Sequence, residues 1–308
     1  MALISLKQAN GRFFGGLVKK GIIVVFFGVL ALFFIFGSSA VVETKSKIKA
    51  GQKTIIFDLG KVVFISNKSE AMKAFSFKNL ISFFISFGKP DEQKFLGYLF
   101  ELFGKEENLP YPKCFRPWFT GYQTGDQMYQ KICDAVDQSN FPKVKKDFVK
   151  AGSKNFLAEN MANINVLSRD AVRFIYELKN SVDENGNPIR LMILSNWSAD
   201  AFELLYKKNK EFFDIFDPED IVVSGECGMM KPDPEIYRYI IETHDLTPAN
   251  CYFIDDEPGN VVAAINSGLK GILHKSWPTT KKRLTLLGLN YSSALSKGQI
   301  NEEAAVFV

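Results

Sequence analysis

Five side chains of this 308-residue sequence have the types, and stand in the order, that phosphoryl chemistry would use. Asp58 follows Thr54-Ile55-Ile56-Phe57, and a carboxylate so placed can attack phosphorus in line, splitting one hard displacement into two easier ones through an aspartyl-phosphate. Ser195 closes Leu191-Met192-Ile193-Leu194, and its hydroxyl and the amides near Asn196 can donate to phosphoryl oxygens. Lys231, in Met229-Met230-Lys231-Pro232, adds positive charge that offsets those oxygens. Asp255 and Asp256 end Cys251-Tyr252-Phe253-Ile254 and, with Asp58, put three carboxylates where a dianionic phosphate must also sit. So much negative charge requires a cation, and all-oxygen ligands select Mg²⁺. Each group alone has a plainer explanation, because Asp or Ser after a strand commonly caps a helix or closes a turn. Their recurrence in order gives the set its weight.

The elements that would position these groups follow from the apolar pattern. The run before Asp58 reads as a fully buried parallel strand that delivers a carboxylate to its own C-terminal end, the edge of an open α/β sheet where ligands bind. Further strands are expected at 191–194, 221–224, 252–254 and 271–274. Helices are expected at 167–179, at 199–208 with Ser198 as its cap, at 234–243 and at 261–267. Such alternation means right-handed crossovers and a parallel sheet covered on both faces. Residues 66–165 have no strand-like run and become Phe-rich and helical. The core is therefore expected at 54–65 and 166–275, with a helical domain at 66–165 inserted after the first strand. Residues 276–308 show no clear pattern and read as a C-terminal tail.

With these motifs in hand, the sequence resembles the haloacid dehalogenase (HAD) superfamily. Phe57-Asp58-Leu59-Gly60-x-Val62, Leu194-Ser195-Asn196, Met230-Lys231-Pro232 and Phe253-Ile254-Asp255-Asp256-x-x-x-Asn260 are most similar to its glucose-1-phosphate phosphatase and epoxide-hydrolase N-terminal phosphatase branch. The resemblance implies a Rossmann-like core with 66–165 as its cap. It also implies Mg²⁺-dependent hydrolysis of a small phosphate monoester, a sugar phosphate being the example the branch suggests. By that resemblance Asp58 is nucleophile and metal ligand, the Gly60 carbonyl and Asp256 are further ligands, and Asp255 supports them. Ser195, Asn196 and Lys231 would hold the phosphate. One position departs from the superfamily's phosphatases. Most carry a second Asp two residues after the nucleophile to protonate the leaving group, and here that residue is Gly60. Two other readings therefore stand beside the phosphatase: a catalytically inactive, membrane-anchored binding module, and a metal-independent dehalogenase, which would not require Asp255-Asp256.

Charge and hydropathy add a second theme. Residues 1–53 carry eight Lys or Arg against one Glu, so the net charge of +4 belongs to the N-terminus and the remainder is acidic, which argues against a nucleic-acid footprint. A basic segment, 1–20, precedes the charge-free apolar run from Gly21 to Gly37, which Ser38 to Val42 extend to the length a bilayer requires. Segment 21–42 is read as a single-pass anchor joined through a lysine-rich linker, 43–53. A signal peptide cleaved after Ser38-x-Ala40 is the competing reading. Lysines on both flanks leave the orientation open. Cys114, Cys133, Cys227 and Cys251 have no metal-ligand spacing and, with only two histidines present, no zinc site is expected; an exported domain would allow one disulfide. Trp118, Tyr122 and Tyr129 are read as buried aromatics of the inserted domain, with the lining of a substrate pocket as the alternative.

Overall fold

The computed structural model describes residues 51–106 and 109–307. The basic segment 1–20, the apolar segment 21–42 and most of the linker lie outside the described residues. Among those described, no helix is long and apolar enough to cross a membrane.

Among the described residues nine strands occur in chain order: β1 (Thr54–Phe57), β2 (Phe64–Ser66), β3 (Asn165–Leu167), β4 (Ser181–Asp183), β5 (Arg190–Ser195), β6 (Ile221–Val223), β7 (Cys251–Asp255), β8 (Lys270–Leu273) and β9 (Tyr291–Ser293). Five of them form one sheet in the order β6-β5-β1-β7-β8, with every pairing parallel. The alternating side chains of β1 explain its central place. Ile55 and Phe57 pack on one face with Phe174, Ile193 and Trp277, while Ile56 packs on the other with Met192, Leu194, Phe253 and Tyr237. Burial of each large apolar side chain contributes roughly 1.5–3 kcal/mol, so a strand apolar on both faces is held from both sides. The neighbours of β1 are β5 and β7, which the chain reaches by crossovers to opposite sides. This is the topological switch point at which α/β sheets bind ligands.

The insertion after the first strand is helical, as its pattern suggests, and builds its own core. Helices Phe77–Phe87, Glu92–Phe103 and Gly125–Gln138 start at Ser76, Asp91 and Thr124, whose side chains each accept a backbone N–H of the first turn. Phe83 stacks on Phe148 at 3.8 Å between ring centroids, and Leu99, Trp118, Met128, Ile132 and Phe156 are buried around them.

Several expectations need correction. The strand expectations omitted β2 and β3, which pair antiparallel where the chain leaves and rejoins the core, just outside the helical insertion. Residues 276–308 are not a patternless tail: they form helix Trp277–Leu286, β9 and helix Lys297–Ala304. Trp277 packs 5.2 Å from Phe174 and 6.5 Å from Phe57, and Leu284, Leu289, Ile300 and Ala304 are buried, so the core extends through this segment. Ser198 occupies the start of helix Ala199–Lys208, but its buried hydroxyl has no hydrogen-bond partner. All four cysteines are free. Trp118 is buried, Tyr129 half-buried, and Tyr122 is 79% exposed rather than packed inside.

Candidate active site

The first carboxylate is positioned by backbone. The N–H of Asp58 donates to the carbonyl of Ile254 at 2.9 Å, which prolongs the β1–β7 ladder by one residue and sets the side chain between β5 and β7. Beyond it the chain turns sharply. Lys61 adopts φ of +57°, a left-handed conformation, and the N–H groups of Val63 and Phe64 both donate to the Leu59 carbonyl. The Ser195 hydroxyl, on the last residue of β5, donates to Asp58 Oδ1 at 2.7 Å.

Lys231 binds the set together. Its ammonium group lies 2.8 Å from Asp58 Oδ1 and 2.6 Å from Asp255 Oδ2, and the side chain is almost wholly buried. Asp255, the last residue of β7, is saturated: besides Lys231 it accepts from the Glu257 N–H at 2.8 Å and from the Asn260 side-chain amide at 3.0 and 3.1 Å. Asp256 is more open and stands 3.7 Å from the exposed Lys61 ammonium. Asp58, Asp255 and Asp256 each present a carboxylate oxygen within 4.8 Å of the others.

The electrostatics follow from burial. The Asp58 carboxyl is pushed up to about 6, first by burial and also by the charge of Asp255, with Lys231 and Ser195 opposing. Asp256 is likewise pushed up to about 6 by burial and by Asp255, with Lys61 opposing. Burial alone would depress the Lys231 ammonium. The charges of Asp255 and Asp58 outweigh it and hold that group above its ordinary value.

The donor set fits Mg²⁺. The atoms that could ligate are all oxygen, and three carboxylates face one buried ammonium and one exposed one. Asp58 Oδ1 is occupied by Ser195 and Lys231, whereas Oδ2 faces Gly60, where a Cβ would lie 3.9 Å away. Of the residues expected from sequence, Asp58, Ser195, Lys231, Asp255 and Asp256 converge, and Gly60 adjoins them. Asn196 is placed differently from a simple phosphate donor. Its side-chain amide accepts the Lys231 N–H at 2.9 Å and donates to the Lys231 carbonyl at 2.8 Å, so it shapes the lysine's backbone.

Sequence reasoning missed the contacts that close the insertion over this edge. Arg116 pairs with Asp233 at 2.6 Å and also bonds to Glu106, while the Gly125 N–H donates to Asp200 at 2.7 Å. The Ser224 hydroxyl accepts the Trp197 N–H at 3.0 Å and donates to the Phe119 carbonyl at 2.6 Å. Backbone meets backbone where Gly121, at φ +76°, approaches Gly225, since a Cβ on Gly121 would come within 2.1 Å of the Gly225 carbonyl oxygen. Tyr111, stacked on Phe115 at 5.7 Å, has its hydroxyl held above the usual range by burial and then by Glu257, Asp58, Asp256 and Asp255. Its phenol is thus within electrostatic reach of the acidic cluster. Partners more than 100 residues apart, such as Arg116 and Asp233, leave no local sequence signal; the Pro-rich aromatic stretch around Tyr111 was the available hint.

A family profile of haloacid dehalogenase-like hydrolases matches residues 52–268, which contain all of these groups. The chain belongs to this family. Among relatives of the HAD-like hydrolase, the drimenol cyclase of Aspergillus calidoustus is 30% identical over 148 residues, 44% of this chain and 28% of the relative. The chloroplast flavin mononucleotide hydrolase 1 of Arabidopsis thaliana is 40% identical over 66 residues, 21% of this chain and 27% of the relative. The sesquiterpene phosphatase of Aspergillus oryzae is 33% identical over 87 residues, 28% of this chain and 43% of the relative. The matches thus span under half the length of each of these relatives.

Proposed function

We propose that this HAD-like hydrolase is a Mg²⁺-dependent phosphatase of a small phosphate monoester. The observation that carries the reading is the buried Lys231 ammonium between Asp58 and Asp255, with a third carboxylate, Asp256, close by. Mg²⁺ would be held by Asp58, the Gly60 carbonyl and Asp256, with Asp255 in support, and would supply charge neutralisation to the phosphoryl oxygens. Asp58 would attack phosphorus as the bond to the leaving oxygen breaks, forming an aspartyl-phosphate that water then hydrolyses. Ser195 and Lys231 would hold the phosphoryl oxygens during both displacements, and Asn196 would fix the lysine that does so. The flavin mononucleotide hydrolase and the sesquiterpene phosphatase support a phosphorylated substrate by their activities, and their difference leaves the organic part of it open. We read segment 21–42 as a membrane anchor for this enzyme.

Gly60 favours a second reading, a binding module that has lost turnover. It removes the side chain that would protonate the leaving group, a contribution of about 10²–10⁴ in rate. The full chain in detergent, assayed on an aryl phosphate with Mg²⁺, with EDTA and as Asp58→Asn, separates the two. Turnover lost both to EDTA and to the substitution supports the phosphatase. No turnover on an aryl phosphate, whose leaving group needs little protonation, or on a panel of sugar phosphates, would put the binding module first. Halide released from a 2-haloacid, indifferent to EDTA and lost in Asp58→Asn, would point to the dehalogenase-type chemistry instead.

A further inference from the structure

Helix Phe77–Phe87 of the inserted domain has one side in the domain core and another side that, among the described residues, nothing covers. Phe83 is buried against Phe148. Phe77, Ile81, Phe84 and Ile85 are 79%, 43%, 60% and 78% exposed. Their spacing of i, i+4, i+7 and i+8 gathers them into a single stripe about 100° wide. Met72, 41% exposed, lies just before this helix. Isolated exposed apolar residues are ordinary, but four large ones on one helical face are not.

Exposed lysines stand beside the stripe, interspersed with acidic residues. Lys78 lies on its flank, Lys89 follows the helix end and Lys73 precedes it; all three are exposed. The acidic residues nearby are Glu70, which pairs with Lys73 at 2.7 Å, and Asp91 and Glu92, which begin the next helix. An amphipathic helix with Phe and Ile on one side and lysines beside them suits a bilayer interface, where the apolar face enters the headgroup boundary and the ammonium groups meet anionic lipid.

Chain length supplies the occupant. The linker 43–53 can reach at most ~40 Å when fully extended, so an anchor at 21–42 would keep the folded residues beside a bilayer at all times. We infer that the Phe77–Phe87 face seats on an anionic lipid surface and is a second membrane contact of this protein. The inference rests on the anchor reading for the proximity of the bilayer, and on the structure for the face.

The test uses the full chain reconstituted into vesicles of phosphatidylcholine with about one-third phosphatidylserine. On a Cys227→Ser background, which removes the one native thiol that is not buried, an environment-sensitive dye is placed at Phe84→Cys or, as the control on the core, at Leu286→Cys, a position 75% exposed. Lipids carrying a shallow nitroxide quencher should dim the Phe84 probe several-fold and leave the Leu286 probe unchanged. The double variant Phe77→Asp and Ile85→Asp should abolish the quenching while the far-ultraviolet spectrum stays the same. Alkaline carbonate extraction reports on the anchor separately. A chain that resists extraction but shows no quenching at Phe84 overturns the docked face and leaves the anchor standing. A chain that is extracted yet was quenched at neutral pH keeps the docked face and removes the anchor. A Phe84 probe shielded from water but insensitive to the lipid quencher means that another protein surface covers the stripe, and overturns the inference.

Discussion

The side-chain amide of Asn196 closes on the backbone of Lys231, accepting its N–H at 2.9 Å and donating to its carbonyl at 2.8 Å. Both hydrogen-bonding ends of the amide are used on one residue, so the loop carrying the buried ammonium is fixed to the end of β5. The lysine's reach to Asp58 and Asp255 is then set by a residue that touches neither.

Asn196→Ala removes both bonds and is expected to lower kcat/KM about 10–100-fold, on the scale of one or two unmade buried hydrogen bonds. Asn196→Asp should do as poorly, since a carboxylate repels the carbonyl that the amide satisfies. Steady-state kinetics beside a thermal melt checks this. A large fall in Tm with unchanged kinetics would make Asn196 purely structural.

Removing Lys231 leaves two carboxylates facing each other in a buried site. Lys231→Met should destabilise the fold by about 3–5 kcal/mol and abolish turnover. Added Mg²⁺ offsets the same repulsion, so the rise in Tm on adding Mg²⁺ should be larger in the variant than in the native chain. Thermal scans with EDTA and with Mg²⁺ decide it, and an equal rise in both proteins would contradict the neutralising role.

Gly60 has room for a side chain. A Cβ there meets only Asp58 Oδ2, at 3.9 Å, and the backbone is outside the left-handed region. Gly60→Asp is therefore expected to fold and to raise kcat on alkyl phosphates by about 10² or more, with little gain on aryl phosphates. The ratio of the two rates is the measurement. An equal change on both substrates would mean that leaving-group protonation does not limit the native protein.

Asp220, immediately before β6, accepts from Arg190 at 2.6 and 2.9 Å and lies 3.4 Å from His244 Nδ1. Burial works against its charged form, but the bonds from His244 and Arg190 outweigh this and hold the carboxyl below its ordinary 3.8. A carboxyl depressed in the folded state stabilises above its unfolded pKa, and that contribution is lost as pH falls through the folded value. Asp220→Asn should thus cost about 3 kcal/mol at pH 7, with the gap to the native chain narrowing below about pH 4. Denaturation at pH 7 and pH 3 tests the sign.

What was legible in the sequence was what burial writes into consecutive residues. β1, β5 and β7 are continuous apolar runs ending in polar groups, and helices Ala199–Lys208 and Pro234–Thr243 lie where their periodicity puts them. Helix Trp277–Leu286 escaped because only Trp277, Thr280 and Leu284 face inward, amid Lys281, Lys282 and Arg283. The convergence of Asp58, Ser195, Lys231 and Asp255 was legible from their order along a parallel sheet. The turn of Asn196 toward Lys231, and the grip of Arg116 on Asp233, were not, since they depend on how loops cross between distant segments.

The antiparallel pair β2–β3 has a further consequence. Phe64 opposite Leu167, Ile65 opposite Val166 and Ser66 opposite Asn165 bring the departing and returning chain to the same point, about 5 Å apart. Excising residues 67–164 would leave two ends that a two-residue turn can rejoin, and a foreign helical module could be spliced onto the same stem. The α/β core thus imposes little on the length of what is inserted there, because loop closure is already made by the stem. Transplanting the insertion would leave the carboxylates and Lys231, which lie on the core side of the stem, where they are.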